Sequence, residues 1–375
     1  MRDLARQLNA PSIHVVKKIK LRVILGRIPK NLRSNRVWIV CGGRVYVRVC
    51  GIWKSQIEKI QEIPGLPARD PKIYVTWSRL LGAGMRKNYR IALFTPELGR
   101  FGNMTRRLVR AMHASLASNF SGVVVPNDVI FSERWFHPGA GEVVGGNFLW
   151  LGADSEFRRS SVPILVVADF FYGESPQQAL SLEKAEVAWL HLRSRLKISV
   201  PKKSTGPKIL TIHVRGGDVF GPRTPSSYGQ PPLSFYALVI DSQEWEKVTV
   251  VHQDMSNPTL QGILDHCASS EIPVATHCGT DTQDVSALLS AEHIVAGRGT
   301  FIPAVAGLSP FCRSVYFFED KCAIEPPRES ITMFRVADFI GEYRESVLSG
   351  NWKNSKEQRD LMVEYPVSSL RMETK

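Results

Sequence analysis

The 375-residue sequence lacks any apolar run of the ~20 residues that a membrane helix needs. Its longest apolar stretches, such as Val162 to Ala168 and Phe235 to Ile240, are far shorter. The N-terminus shows no apolar signal core, so a cytoplasmic protein is expected. The six cysteines (41, 50, 267, 278, 312 and 322) form no C-x-x-C pair, which argues against a disulfide framework and for a reducing compartment. There is no D-x-D pair to hold a divalent cation on a diphosphate, no G-x-x-x-x-G-K-[ST] phosphate loop and no G-x-S-x-G elbow. Internal repeats and low-complexity tracts are also lacking.

What is present suits a soluble globular chain of two ordinary domains, with 43% hydrophobic and 22% charged residues. The net charge of +13 is concentrated at one end. Residues 1–60 hold 14 Lys and Arg against Asp3 and Glu58, whereas the other 315 residues are close to neutral. The basicity therefore belongs to an arm, and an anionic surface such as the inner face of a membrane is its expected partner. His266-Cys267 and His277-Cys278 repeat a pair of zinc-ligand types, although a helix end facing a buried strand explains them equally well.

Within the arm, Arg36 to Cys41 and Arg44 to Cys50 read as strands joined by Gly42-Gly43, a turn in which glycine accepts positive φ. The Pro-rich stretch from Ile63 to Pro71 reads as a linker. Strands then alternate with helices, as in a parallel sheet covered on both faces. The first half has strands at Arg90 to Phe94, Val123 to Pro126 and Val162 to Ala168, with helices at Asn103 to Asn119 and Leu182 to Leu196. Pro201 to Pro207 is the expected interdomain linker. In the second half strands are expected at Ile209 to Val214, Val248 to Val251, Ile272 to Ala275, His293 to Ala296 and Val315 to Phe318. Helices fit at Leu233 to Asp241, Thr259 to Cys267, Asp284 to Leu289 and Phe301 to Leu308. Ligands of such a sheet bind beyond the carboxyl ends of its strands.

Three segments carry chemistry. His213-Val214-Arg215-Gly216-Gly217-Asp218 follows an apolar strand; its glycines allow close backbone approach, and Arg215 offers a planar fork for phosphate oxygens. Asp218 is either a base or the partner that orients Arg215. Gly99-Arg100-Phe101-Gly102-Asn103 opens a helix, with Asn103 expected at the N-cap and N–H groups pointing outward. Asp284 precedes His293 by nine residues, and Gly299-Thr300-Phe301 follows it at a helix N-terminus suited to phosphate. Read singly, each is as readily an ordinary strand-turn-helix or a solvated salt bridge.

Together, in this order and spacing, they make the chain resemble the α-1,2-fucosyltransferases and protein O-fucosyltransferases. Those enzymes have a G-R-[LF]-G-N turn in the first domain, an H-x-R motif opening the second and a D…H…G-T-F segment beyond it. Of these, the stretch from His293 to Phe301 is the most specific match, and the resemblance covers roughly residues 90–310. It implies an α/β GT-B fold, two facing Rossmann-like doubly wound domains with a basic N-terminal extension. The expected divisions are an arm at 1–70, an acceptor-side domain at 71–200, a nucleotide-sugar domain at 201–335 and a helical tail at 336–375. It further implies GDP-fucose as donor without a metal or other cofactor, and a glycan or lipid-linked glycan as acceptor. Arg215 would meet the diphosphate. His213, Asp284, Thr300, Phe301 and Gly102 would line the donor site, Asn103 would lie near the reacting sugar, and Asp218 is the nearest carboxylate. The α-1,2 enzymes usually have a second Arg where this chain has Gly216. A transferase using another nucleotide sugar, a silent sugar-binding relative and a basic nucleic-acid-binding protein are the competing readings, nucleic acid being the least expected partner because the body is neutral.

Overall fold

A computed structural model describes residues 208–319, 328 and 330–374 of the second half and, in the first, residues 100–117, 135–137 and 182–200 together with eight strands. The linker expected at Pro201 to Pro207 and the Pro-rich stretch from Ile63 to Pro71 lie outside the described residues, as do residues 1–36 of the arm. The chain divides into two units, Met1–Lys197 and Ile198–Lys375.

In the first unit the strands are β1 (Val37–Cys41), β2 (Arg44–Val49), β3 (Ile52–Gln56), β4 (Ile91–Phe94), β5 (Gly122–Val125), β6 (Glu142–Val144), β7 (Asn147–Ala153) and β8 (Ile164–Ala168). They form one sheet in the order β3-β2-β1-β8-β4-β5-β7-β6. β8, β4, β5 and β7 are parallel, and antiparallel strands extend both sides. The two-residue connection pairs Cys41 with Arg44, which fixes the hairpin register. Here the structure departs from the separate arm of residues 1–70: β1 pairs antiparallel with β8, so the hairpin and the additional β3 belong to the sheet of the first unit. Helix α1 (Phe101–Ala117) buries Phe101, Met104, Leu108 and Met112, spaced three or four apart as one helical face requires, and packs on α2 (Leu182–Ser194).

The second unit is built around β9 (Ile209–Val214), whose Leu210, Ile212 and Val214 are fully buried. β10 (Lys247–His252), β11 (Val274–His277), β12 (His293–Val295), β13 (Ser314–Phe318), β14 (Thr332–Asp338) and β15 (Leu370–Thr374) complete a sheet ordered β11-β10-β9-β12-β13-β14-β15. All pairings are parallel except that of β15. Helices α3 (Leu233–Ile240), α4 (Thr259–Ser269), α5 (Asp281–Leu289) and α6 (Phe301–Leu308) connect the parallel strands, each close to its expected span.

Residues 336–375, expected as a helical tail, instead complete this unit. They finish β14, supply β15 and carry helix α7 (Lys356–Glu364), started by a capping box between Ser355 and Gln358. Alternation hides β14: only Met333, Val336, Ala337 and Asp338 of its seven residues are buried, a pattern weaker than that of the central strands. Trp352 lies at the join, almost fully buried, donating from Nε1 to the Val219 carbonyl at 2.9 Å and meeting the Phe220 ring edge-on at 5.7 Å. Trp352→Ala is expected to lose about 3–5 kcal/mol of unfolding free energy in urea titration, because it empties a core position and leaves a carbonyl without its donor. A change below about 1 kcal/mol would mean that the segment packs elsewhere in solution.

Candidate nucleotide-binding site

The order of the second sheet creates a crevice before any side chain is considered. From β9 the chain proceeds through α3 to β10 on one side; β12 lies on the other side of β9, and its chain proceeds through α6 to β13, away from β9. The turns after β9 and β12 therefore part above the gap between two adjacent parallel strands, the topological switch point at which open α/β sheets hold ligands. Two of the three sequence segments, 213–218 and 297–301, meet there.

Arg215 is the first polar side chain beyond β9 and keeps 18% of its surface exposed. Its Nη2 donates to Asp218 Oδ1 at 3.3 Å, and its guanidinium lies over the Tyr228 ring, 4.8 Å from the centroid. The turn after β12 passes close to it at two glycines. A β-carbon on Gly297 would stand 3.5 Å from Arg215 Cβ, and one on Gly299 3.1 Å from Arg215 Nη1. Gly299 also has φ +121°, a backbone conformation that other residues rarely adopt. Arg215 is thus oriented by Asp218 and Tyr228 with part of its fork directed toward a glycine backbone. The planar fork has the shape that phosphate oxygens require, and Asp218 already shares its charge. This contact is the one that an orienting partner of Arg215 would make.

His213 and Phe301 also come together, with ring centroids 4.9 Å apart. The His213 Nδ1 is sealed from solvent and has no hydrogen-bond partner, and burial together with the adjacent Arg215 charge pushes the imidazole from 6.5 down to about 3. At neutral pH this ring is an uncharged wall beside Phe301. Thr300 is the N-cap of α6 and its carbonyl accepts from Ala304 N, but its hydroxyl makes no capping bond.

Asp284 lies at the other side of the site, in the first turns of α5. Its Oδ1 is 3.1 Å from His277 Nε2 and accepts from Gly279 N at 3.1 Å. The His277 contact has the distance of an ion pair without the angle of a hydrogen bond. Burial raises the Asp284 carboxyl above its usual range, opposed by His277 and the Gly279 N–H. His277 ends β11, two strands from β9 in the sheet.

In the first unit, Gly102 and Asn103 occupy the first turn of α1, whose described start is Phe101. Met104 N donates to the Arg100 carbonyl, which places the N-cap at Arg100 and corrects the expected cap at Asn103. Burial of Phe101, its ring 4.5 Å from that of Trp135, draws the helix start forward. Gly99 lies outside the described residues. The zinc pairs are also resolved: His266 bonds Asp241 at 2.8 Å, Cys267 is buried in the core, and among the described residues no three His, Cys, Asp or Glu side chains gather as metal ligands.

Sequence reasoning missed Tyr228, Gln230 and the run from Gln253 to Asn257. That run immediately follows β10 at the ligand edge of the sheet, which was its available signal. Gln230 is fully buried and accepts from Arg298 N, while Arg298 Nη1 reaches the carbonyls of Gly229 and Leu348 at 3.4 Å each. Arg298 is therefore a structural tie between segments.

No protein-family model matches the chain, and no curated protein is similar to it in sequence. Among solved structures it is similar to POFUT1 in complex with GDP, at 11% identity over 61% of this chain and 98% of that one, with a TM-score of 0.35. The iron-containing dodecameric glycosyltransferase TibC from enterotoxigenic E. coli is also 11% identical, over 73% and 64% of the two chains, with a TM-score of 0.33. For the E. coli ADP-heptose LPS heptosyltransferase II the figures are 11%, 65% and 89%, with a TM-score of 0.30.

The half-buried imidazole, sealed at Nδ1, makes stability pH-dependent with a definite sign. The folded chain resists protonating His213 whereas the unfolded chain accepts the proton near 6.5, so its contribution is complete above that value and is lost as the pH falls through it. Wild type should therefore lose more unfolding free energy than His213→Gln between about pH 7 and about pH 5. Parallel curves for the two proteins would contradict a half-buried neutral ring.

Proposed function

We propose that the chain is a glycosyltransferase of the GT-B type, with two facing Rossmann-like domains, which transfers fucose from GDP-fucose to a glycan hydroxyl with inversion and without a metal ion. The observation that carries the reading is Arg215 at the switch point between β9 and β12, facing the Gly297 and Gly299 backbone. In the proposed reaction the acceptor oxygen bonds to the anomeric carbon as that carbon's bond to the diphosphate oxygen breaks. The electron pair leaves with the diphosphate, and the hydroxyl proton passes to a base. Arg215 meets the charge developing on the leaving group, Asp218 and Tyr228 orient it, and α6 presents its N-terminus at Thr300. Asp284 would accept from the edge of guanine, with His213 and Phe301 forming an apolar wall. Gly102 and Asn103 would approach the sugar from the first unit. The guanine and fucose assignments rest on the order of Asp284, His293, Gly299, Thr300 and Phe301, which a transferase for another nucleotide sugar could share.

The first test is calorimetry in EDTA, where GDP should bind far more tightly than UDP; equal affinities would end the guanine assignment. In turnover, Arg215→Ala should lose ~3–4 kcal/mol of transition-state stabilisation, about 10² to 10³ in rate, while melting near wild type. Arg215→Lys should recover part of this loss, since a point charge lacks the fork. The control is the exposed Arg223→Ala, because Arg298→Ala would release two carbonyls and disturb the fold. A folded Arg215→Ala protein retaining more than about a tenth of wild-type turnover would remove the mechanism.

The basic arm is proposed to dock the enzyme on an anionic membrane surface, where a lipid-linked acceptor would lie. The β1–β8 pairing dictates the truncation: residues 1–34 should be deleted rather than 1–60, which would strip β8 of its neighbour. The shorter deletion should abolish salt-sensitive sedimentation with anionic vesicles and leave GDP binding intact; unchanged sedimentation would refute the arm's role.

A further inference from the structure

The residues that follow β10 lie along the turn that carries Arg215 and hold it at two points. Asn257 Nδ2 donates to the Arg215 carbonyl at 2.9 Å, and Gly217 N donates to Ser256 Oγ at 3.0 Å. Ser256 is itself fixed, because its hydroxyl donates to Asp254 Oδ1 and its N–H reaches the same oxygen at 2.8 Å. With its proton committed to Asp254, the Ser256 hydroxyl turns a lone pair toward Gly217. Gly217 sits at φ +65°, a conformation that glycine adopts without strain and that other residues rarely do.

The same carboxylate occupies the space beside Gly216. A β-carbon there would be 3.0 Å from Asp254 Cγ, 3.2 Å from Ser256 Oγ and closer still to Asp254 Oδ1. Among the described residues no cation is paired with Asp254, and Arg215 already shares its charge with Asp218. The turn proposed to face a diphosphate therefore has one arginine and two carboxylates around it. Asp254 cannot be explained as an attractive contact for phosphate. Its geometry suits support of the backbone, and its charge opposes the most anionic ligands.

Building on the nucleotide-sugar reading above, we infer that Asp254 is a positioning and specificity residue: through Ser256 it fixes the 215–217 turn, and its charge disfavours a free nucleoside diphosphate relative to the nucleotide sugar. The two ligands differ in the required way. The free diphosphate ends in a phosphate that titrates like a monoester near about pH 6 and so carries extra negative charge at neutral pH, whereas in the sugar ester that oxygen is blocked. A carboxylate beside the site would thus favour binding of the donor and departure of the product.

The test uses the full-length protein, Asp254→Asn and Ser256→Ala, with GDP and GDP-fucose as probes. Asn keeps an oxygen for Ser256 and removes the charge. Asp254→Asn should bind GDP about fivefold more tightly at low salt and GDP-fucose by a smaller factor, with the gain shrinking as salt is raised. Ser256→Ala should weaken both ligands and speed amide hydrogen exchange at Gly217 about tenfold, an effect that Asp254→Asn should not reproduce. Unchanged GDP affinity in Asp254→Asn, or an unchanged ratio between the two ligands, overturns the specificity role. Unchanged exchange at Gly217 in Ser256→Ala overturns the positioning role. A wild-type protein that binds neither ligand sinks the guanine reading and the charge argument with it, while the exchange measurement still decides the positioning role independently.

Discussion

Strand β9 is buried among parallel neighbours on both sides, and the chain leaves the two sides in opposite directions. Much of the second unit's functional geometry depends on that constraint. Its three core residues, Leu210, Ile212 and Val214, are fully buried, and Arg215 is the next residue after the last of them. A long cationic side chain at this boundary cannot fold back into the sheet without losing its solvation, so it must lie over the strand ends. There the neighbouring turn offers Gly297 and Gly299, and the side chain between them, Arg298, is turned to the carbonyls of Gly229 and Leu348.

A turn that must present a charged group still needs anchorage. The 3₁₀ turn from Gly217 to Phe220 has an exposed beginning and a buried end, with Val219 and Phe220 in the core. Trp352 and Asn354 bond the carbonyls of those two residues, and Arg359 on α7 reaches the Ser256 carbonyl at 2.8 Å. The last forty residues thus brace both sides of the candidate site although none of them faces the switch-point crevice through a sequence motif. Asp338 and Glu319 tie the same segment to the ends of β13 and β14, with Asp338 accepting from Gly341, Arg344 and Tyr365.

Most second-half strands from Ile209 to Phe318 were legible because they are short, apolar and separated by one helix from the next; β11, with no buried residue, runs from Val274 to His277, two residues beyond the span expected from Ile272. β14 and β15 were not legible: the first is half-exposed, and the second buries only Leu370 of its five residues. The antiparallel attachment of β1 to β8 was invisible for another reason, since pairing across more than a hundred residues leaves no local signature. At the site, His213, Arg215, Thr300 and Phe301 stand out in the sequence because they adjoin glycines at strand ends. Asp254, Ser256 and Tyr228 do not, because their parts are defined by hydrogen bonds and ring contacts to residues distant in the chain.

The packing of Asp254 against Gly216 has a consequence for how this sequence can change. A side chain at 216 and a carboxylate at 254 contend for one volume, so position 216 cannot gain a side chain while Asp254 keeps its place. A lineage that gained arginine at 216 would first, or simultaneously, have to shorten residue 254 and find another partner for the Ser256 hydroxyl. Such positions are coupled in the energetic sense, with a joint effect unlike the sum of the single ones. The order of change is therefore asymmetric: residue 254 can alter while the glycine stays, whereas descendants with a side chain at 216 should already have altered residue 254.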